Sequence, residues 1–215
     1  VEENNFAIRK RLLEYDNVMN SQREVIYKKR RNAIIGERLE VDILNTVFDT
    51  CEDIVLTSKQ NENYKDFRLN VLTVLGLDFD KLNEEDFKQK QPEDITRELF
   101  KAVNENYNNK NKSISEAAYP ILKKIKKERG GVVKDILIPF TDGNRQIGVS
   151  VNLDESLENN GENIIKEMQK IVSLGMIDLN WKEHLREMDD LKQSVQSAVY
   201  EQKDPLVIYK FEGFE

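Results

Sequence analysis

The chain has 215 residues, and its 33 Lys and Arg against 40 Asp and Glu leave a net charge of −7. Hydrophobic residues make up 39% and charged residues 34%, a balance that suits long exposed helices better than a compact globule and leaves room for one large domain or two small ones. No run approaches the roughly 18 apolar residues of a membrane span, and no signal-peptide pattern opens the chain. A single cysteine, Cys51, excludes an internal disulfide and a cysteine-built metal site, and the single His184 argues against a histidine-ligated one. A reducing, cytoplasmic setting follows from that cysteine usage. The chain opens at Val1 without Met and closes soon after a fresh helix start at Pro205, so a piece of a longer protein is expected.

Taken in order, Ile8, Leu12, Tyr15, Met19, Gln22 and Ile26 recur at intervals of 4, 3, 4, 3 and 4, a helical stripe close to a heptad seam. Nothing breaks residues 1–35, which predicts one helix of roughly 50 Å at 1.5 Å per residue. A helix of that length cannot bury its stripe alone and needs a partner. Gly36 bends or ends it, and the period resumes through Leu39, Val47, Cys51, Ile54 and Val55 to a polar break at 59–63.

Residues 64–129 read as shorter helices. One spans 64–75 with Gly76 as its C-cap, a weak one starts at 83–88, and Pro92 opens another through Tyr107. The polar run 108–112 reads as a loop. Ser113, with Glu116 three residues on, reads as the capping box of a last helix running to Gly130 and Gly131.

Then the period changes to two. Ile136, Ile138 and Phe140 alternate with other residues, Thr141-Asp142-Gly143-Asn144 makes a turn, and Ile147, Val149 and Val151 alternate on the far side. This is a β-hairpin pattern, with Pro139 suiting an edge strand. From Glu162 the helical period returns through Ile165, Met168, Val172, Trp181, Leu185, Met188, Val195 and Val199, with Gly175 a soft spot inside it. This second long helix can run antiparallel to the first and cover its stripe. Asp204-Pro205 reads as an N-cap and first-turn proline of a third helix, which makes 200–204 the tip of a helical hairpin. The fold class is therefore mainly α: long antiparallel scaffold helices with an inserted smaller helical lobe that carries one β-hairpin.

Catalytic patterns are missing. There is no G-x-x-x-x-G-K-[ST] loop, no G-x-G-x-x-G and no G-x-S-x-G elbow. Glu183 stands beside His184, but adjacent helical residues point about 100° apart, so it cannot orient the ring, and no nucleophile is near. Carboxylate runs such as Glu84-Glu85-Asp86 and Asp189-Asp190 read as solvated faces, and Cys51 as a small core residue. Two basic runs, Lys28-Lys29-Arg30-Arg31 and Lys123-Lys124-Ile125-Lys126-Lys127, invite a nucleic-acid reading that the acidic total and the lack of interleaved aromatics oppose. The first run could meet an acidic partner domain or anionic lipid; the second suits a helix C-terminus. The tip 200–205 carries an aromatic and a lysine; on local pattern alone it reads as an ordinary helix–helix turn.

Three segments change that balance. The run from Ile8 through Asn20 (Ile-Arg-Lys-Arg-Leu-Leu-Glu-Tyr-Asp-Asn-Val-Met-Asn), continued by Gln22-Arg23-Glu24-Val25-Ile26-Tyr27, resembles the opening of the long helix in the bacterial preprotein translocase ATPase family SecA. Trp181-Lys182-Glu183-His184-Leu185 with Met188-Asp189 is similar to that family's later scaffold helix. Gln202-Lys203-Asp204-Pro205 followed by Tyr209-Lys210 is similar to the loop after it. The resemblance implies a helical scaffold at 1–57 and 161–215 and a helical wing domain at 58–160, with the hairpin at 136–151. It implies that the helices on either side of the tip form the family's two-helix finger, with Tyr200 at the finger-tip tyrosine and Lys203 at the lysine beside it.

On that resemblance Tyr200 and Lys203 would contact the channel or the translocating polypeptide. Ile8, Leu12, Tyr15, Met19, Ile26 and Trp181 would be scaffold packing. The implied partners are the SecYEG channel, a secretory preprotein, and the nucleotide-binding and preprotein-binding domains of the same parent chain, at the cytoplasmic face of the plasma membrane. No catalytic, cofactor or metal-binding residue is expected here. ATP and Mg would belong to the parent's other domains, and zinc to the family's Cys-rich tail. The chain departs from the family at 194–199, which lacks the commoner Gly-Ile-His-Leu-Arg pattern, and at Glu201, where a small residue is usual. The competing reading is a coiled-coil adaptor that binds partner proteins without a motor.

Overall fold

A computed structural model describes residues 2–36, 38–129, 132–141, 143–195 and 204–214. In chain order the elements are α1 (Glu2–Ile35), α2 (Leu39–Gln60), α3 (Tyr64–Leu75), α4 (Glu84–Gln89), α5 (Pro92–Arg129), β1 (Asp135–Thr141), β2 (Gln146–Asn152), α6 (Leu153–Glu158), α7 (Glu162–Ser194) and α8 (Pro205–Glu212). The fold is mainly α, with one two-stranded antiparallel sheet among the described residues. The chain divides into two compact units: Val1–Glu37 with Lys170–Glu215, and Arg38–Gln169. The division falls within α7. No described helix is long and apolar enough to cross a membrane.

The unit of residues 38–169 has its own aromatic core. Cys51 and Val55 of α2, Phe67 and Val71 of α3, Phe79, Leu82, Phe87 of α4, and Ile95 and Leu99 of α5 are all nearly inaccessible. Phe67 sits at the centre, its ring 5.0 Å from Phe87 and 6.4 Å from Phe79. The connections are tied down by polar groups that would otherwise be unpaired. The Tyr64 hydroxyl donates to the Leu82 carbonyl, and Lys59 Nζ donates to the Lys90 carbonyl at 2.7 Å. Asn63 and Asn83 each accept an N–H at a helix start, from Asp66 and Asp86. Gly76 ends α3 at φ 62, a left-handed conformation that costs glycine nothing.

Two expectations need correction here. The run 108–112 is not a loop, and Ser113 does not start a helix: α5 is one helix of 38 residues. The run is polar, but the helical period continues through it, with Val103 buried, Tyr107 and Asn111 half-buried, and Ser115 and Leu122 buried. Ser113 Oγ bonds back to the Asn109 carbonyl at 2.9 Å, inside the helix and not as a cap. Pro120 lies within the same helix on an exposed position. The short helix α6 is an addition: Asn152 ends β2 and at once caps α6, its side chain accepting the N–H groups of Asp154 and Glu155. α7 is described from Glu162 to Ser194, and the expected continuation to Val199 lies at 196–199, outside the described residues.

The hairpin pairs Ile136 with Val151, Ile138 with Val149 and Phe140 with Ile147. Those six residues are the covered face, and Val149 and Val151 are buried. Residues 135, 137, 139 and 141 face out.

In the other unit, α1 meets α7 in antiparallel register. Arg30 pairs with Asp178 at 2.8 Å, Gln22 meets His184 at 3.0 Å, and Lys192 Nζ stands 5.6 Å from the centre of the Tyr15 ring. As the α1 number falls, the α7 number rises.

Candidate functional site

The segment with the two predicted contact residues, Tyr200 and Lys203, lies outside the described residues. Both of its flanks are described, and their chemistry says how each flank is held. On the far side Asp204 caps α8: its Oδ1 accepts the Leu206 N–H at 3.0 Å, and Pro205, which has no N–H to leave unpaired, opens the helix. On the near side Met188 of α7 and Val195, the residue after its end, cluster with Val18 of α1 and Tyr209 of α8. All four are 4% exposed or less. The Tyr209 ring lies 4.8 Å from that of Tyr15 at an interplanar angle of 60°, a favourable tilted pair.

The end of α8 is fixed by a close approach. A Cβ on Gly213 would stand 2.7 Å from the Tyr209 carbonyl oxygen and 2.9 Å from Met188 Cε, so only glycine lets the chain pass there unshifted. Gln22 of α1 then binds two elements with one amide. Its Nε2 donates to the Gly213 carbonyl, and its Oε1 lies 3.0 Å from His184 Nε2. An amide oxygen can only accept, so Nε2 of His184 carries the hydrogen. The His184 ring stacks on Trp181 at 5.5 Å and 30°. Glu183 turns away from it and pairs with Arg186 at 3.1 Å. An open cleft of about 690 Å³ runs beside this amide, lined by Val25, Ile26, Ile177, Trp181, His184 and Phe214 among others.

Both clustered phenols hold their protons more tightly than an ordinary tyrosine. Burial raises the pKa of Tyr15, and the nearby Asp204 carboxylate adds to it. For Tyr209 burial is again the main cause, with the carboxylates of Asp189 and Asp16 behind it. Neither ring ionises near neutral pH, so this is a packing cluster with polar rims. No base–nucleophile pair stands in it.

The remaining predicted scaffold residues are placed unevenly. Tyr15, Met19, Ile26 and Trp181 are half-buried, Leu12 is 51% exposed, and the Ile8 side chain lies outside the described residues. Val18, one position off the predicted stripe, is the α1 residue that Met188 and Tyr209 bury. Gln22 was legible as the single polar residue on an otherwise apolar stripe, which is the signature of a side chain with a fixed partner. The roles of Tyr209 and Gly213 depend on where α8 lands, and no local spacing encodes that.

A long helix that carries an antiparallel return helix and a short capped helix defines a structural class, a helical support. Comparison with known proteins narrows it. The sequence model of the SecA Wing and Scaffold domain family matches residues 1–215. The chain is 48% identical over 215 residues to the protein translocase subunit SecA of Cytophaga hutchinsonii, and 46% identical over 215 residues to that of Christiangramia forsetii. With that of Parabacteroides distasonis the identity is 44% over 214 residues. In each case all of this chain is covered, and it spans 19% of the relative's length. The chain belongs to the SecA wing and scaffold domain family.

Proposed function

We propose that this chain is the scaffold and wing part of an ATP-driven protein translocase, which moves unfolded secretory preproteins through the SecYEG channel. The observation that carries the reading is the match along the whole chain to subunits named as protein translocases. The geometry of the flanking elements supports it. Both flanks of 196–203 are anchored to α1, through Val195 and Met188 on one side and through Tyr209 and Gly213 on the other. Flanks held that way move with the rod beneath them, and a push on α1 reaches both ends of the segment that carries Tyr200. The tip aromatic, Tyr200, would grip many sequences, because apolar and stacking contacts need no fixed hydrogen-bond partner. Lys203 would stand beside it at the channel or the polypeptide.

In this reading 1–57 and 161–215 serve as helical scaffold and 58–160 as helical wing. The parent's nucleotide-binding and preprotein-binding domains pack on the scaffold, and the assembly works at the cytoplasmic face of the membrane, where anionic lipid is a further candidate partner. ATP and Mg belong to those other domains. The residues here do not fit a nucleotide, since the sequence has no G-x-x-x-x-G-K-[ST] loop, and no step of ATP hydrolysis is assigned to them.

The test is site-specific photo-crosslinking from position 200 in the intact parent, stalled on a secretory precursor at its channel. ATP-dependent crosslinks to the precursor or to the channel are expected. Crosslinks confined to the protein itself would reduce Tyr200 to a turn residue and overturn the finger assignment.

A further inference from the structure

The two edges of the hairpin are chemically unlike, and the hydrogen-bond register says why. The Leu153 N–H donates to the Lys134 carbonyl at 2.8 Å. These two residues stand opposite one another one step beyond the pair Asp135 and Asn152, so they mark a hydrogen-bonded position of the antiparallel ladder. Such positions alternate along the ladder. On β1 they fall on Ile136, Ile138 and Phe140, and on β2 on Ile147, Val149 and Val151. The intervening residues turn their backbone groups away from the partner strand.

On β1 those outward residues are Asp135, Leu137, Pro139 and Thr141. Pro139 has no N–H to offer, and Asp135 puts a charge at one end. Proline and charge are how natural sheets blunt an open edge. On β2 the outward residues are Gln146, Gly148, Ser150 and Asn152, in a strand of sequence QIGVSVN with neither proline nor charge. Gln146, Gly148 and Ser150 are exposed, and glycine has only backbone to expose. No third strand pairs with either edge among the described residues. One edge of this hairpin is guarded and the other is open.

We propose that the outer edge of β2, at residues 146–150, is a strand-addition site for an extended segment of unfolded polypeptide. A row of outward N–H and C=O groups recognises main chain and ignores side-chain identity. The flanking side chains of Gln146 and Ser150 are uncharged and Gly148 has none, so no guest sequence is repelled by charge. Leu137, which is 69% exposed, lies across Gly148 and gives the guest's outward side chains an apolar shelf. The inward neighbours Val149 and Val151 are already buried, which fixes the strand's register before any guest arrives. A second copy of the same edge is the weaker guest, because each chain carries a net charge of −7. The proposal rests on the functional reading above insofar as unfolded polypeptide is what the parent handles.

The test is amide hydrogen exchange on the full chain, with a reduced and alkylated, permanently unfolded protein added as the probe. The amides of Gly148 and Ser150 point outward and should exchange fast in the free chain, then slow at least tenfold with the probe. Ser150→Pro removes an outward N–H without touching the β1 ladder and should abolish protection at Gly148. Ser150→Lys, which keeps the backbone intact, should weaken it and covers the case in which the proline variant fails to fold. Unchanged exchange at Gly148 and Ser150 at saturating probe overturns the proposal. So does protection that grows with the chain's own concentration in the absence of probe, which would mean pairing between copies. Crosslinks from position 200 together with an unprotected β2 edge would leave the translocase reading standing and remove this site alone.

Discussion

The two units of the chain solve the problem of burying apolar surface differently. In residues 38–169 four helices close around Phe67, Phe79 and Phe87, and Cys51, Val55, Ile95 and Leu99 are fully covered by neighbours from the same unit. In residues 1–37 and 170–215 the buried cluster is four side chains, Val18, Met188, Val195 and Tyr209. Around it Leu13, Val25, Phe211 and Phe214 are each more than half exposed, at 61%, 56%, 73% and 62%. The first unit carries a core; the second carries a seam. A long helix has too much surface for one return helix to cover, and its remaining apolar residues are available to whatever packs there.

The comparison can be broken most directly at Phe67. Truncation to alanine should cost about 3–5 kcal/mol, since the ring is fully buried among aromatic neighbours. Trp181 is the sole tryptophan and belongs to the other unit, so its fluorescence reports that unit alone. In urea, the circular-dichroism transition of Phe67→Ala should move to lower denaturant while the Trp181 transition stays in place. A joint shift of both would mean that the two units unfold as one.

Next in size is a dependence on pH. Burial pushes the Cys51 thiol up to about 11 from an ordinary 9.0. The folded chain therefore keeps a proton that the unfolded chain gives up. Stability from this group is complete below pH 9.0 and is lost as pH rises from there to about 11, by on the order of 2 kcal/mol at about 1.4 kcal/mol per pH unit. Urea melts of the wild type and Cys51→Ala at pH 8 and pH 11 would measure it: the wild type should lose more stability than the variant. Equal losses would assign the alkaline sensitivity elsewhere.

The seam offers smaller effects. Asp204→Ala removes the cap of α8 and should cost about 1 kcal/mol. It also takes away the carboxylate that helps raise Tyr15, so the Tyr15 titration should move toward that of an ordinary tyrosine, as read by ultraviolet absorbance. The smallest effect is expected at Phe211→Ser: within about 0.5 kcal/mol in this chain, because the ring is 73% exposed. If Phe211 lies under another domain in the parent, the same substitution there should destabilise by more. Equal effects in both settings would leave that face uncovered in the parent too.

Much of the architecture is local and therefore legible in residue order. Gly76 ends α3 because a left-handed residue is needed there, Asn63, Asn83 and Asp204 start helices because their side chains accept orphan N–H groups, and the period-two run with its turn specifies the hairpin. Where local chemistry and packing disagree, packing prevails. The run 108–112 has a loop's composition, yet it stays helical, because Asn111 within it and Tyr107 before it are half-covered and Ser115 after it, buried, bonds the Gly161 carbonyl at 3.3 Å. The burial of Val18, and the exposure of Leu12 on the same helix, follow from where α7 and α8 meet α1.

By itself, then, the sequence determines most of the helices, the caps at Gly76 and Asp204, the hairpin and the family, since each is written in neighbouring residues or in ordered motifs. Only the tertiary structure decides which face of α1 is covered, that Gln22 joins His184 to Gly213, and that β2 holds the open edge of the hairpin. Those depend on contacts between residues far apart in the chain, and neither period nor propensity encodes which distant partner a side chain will meet.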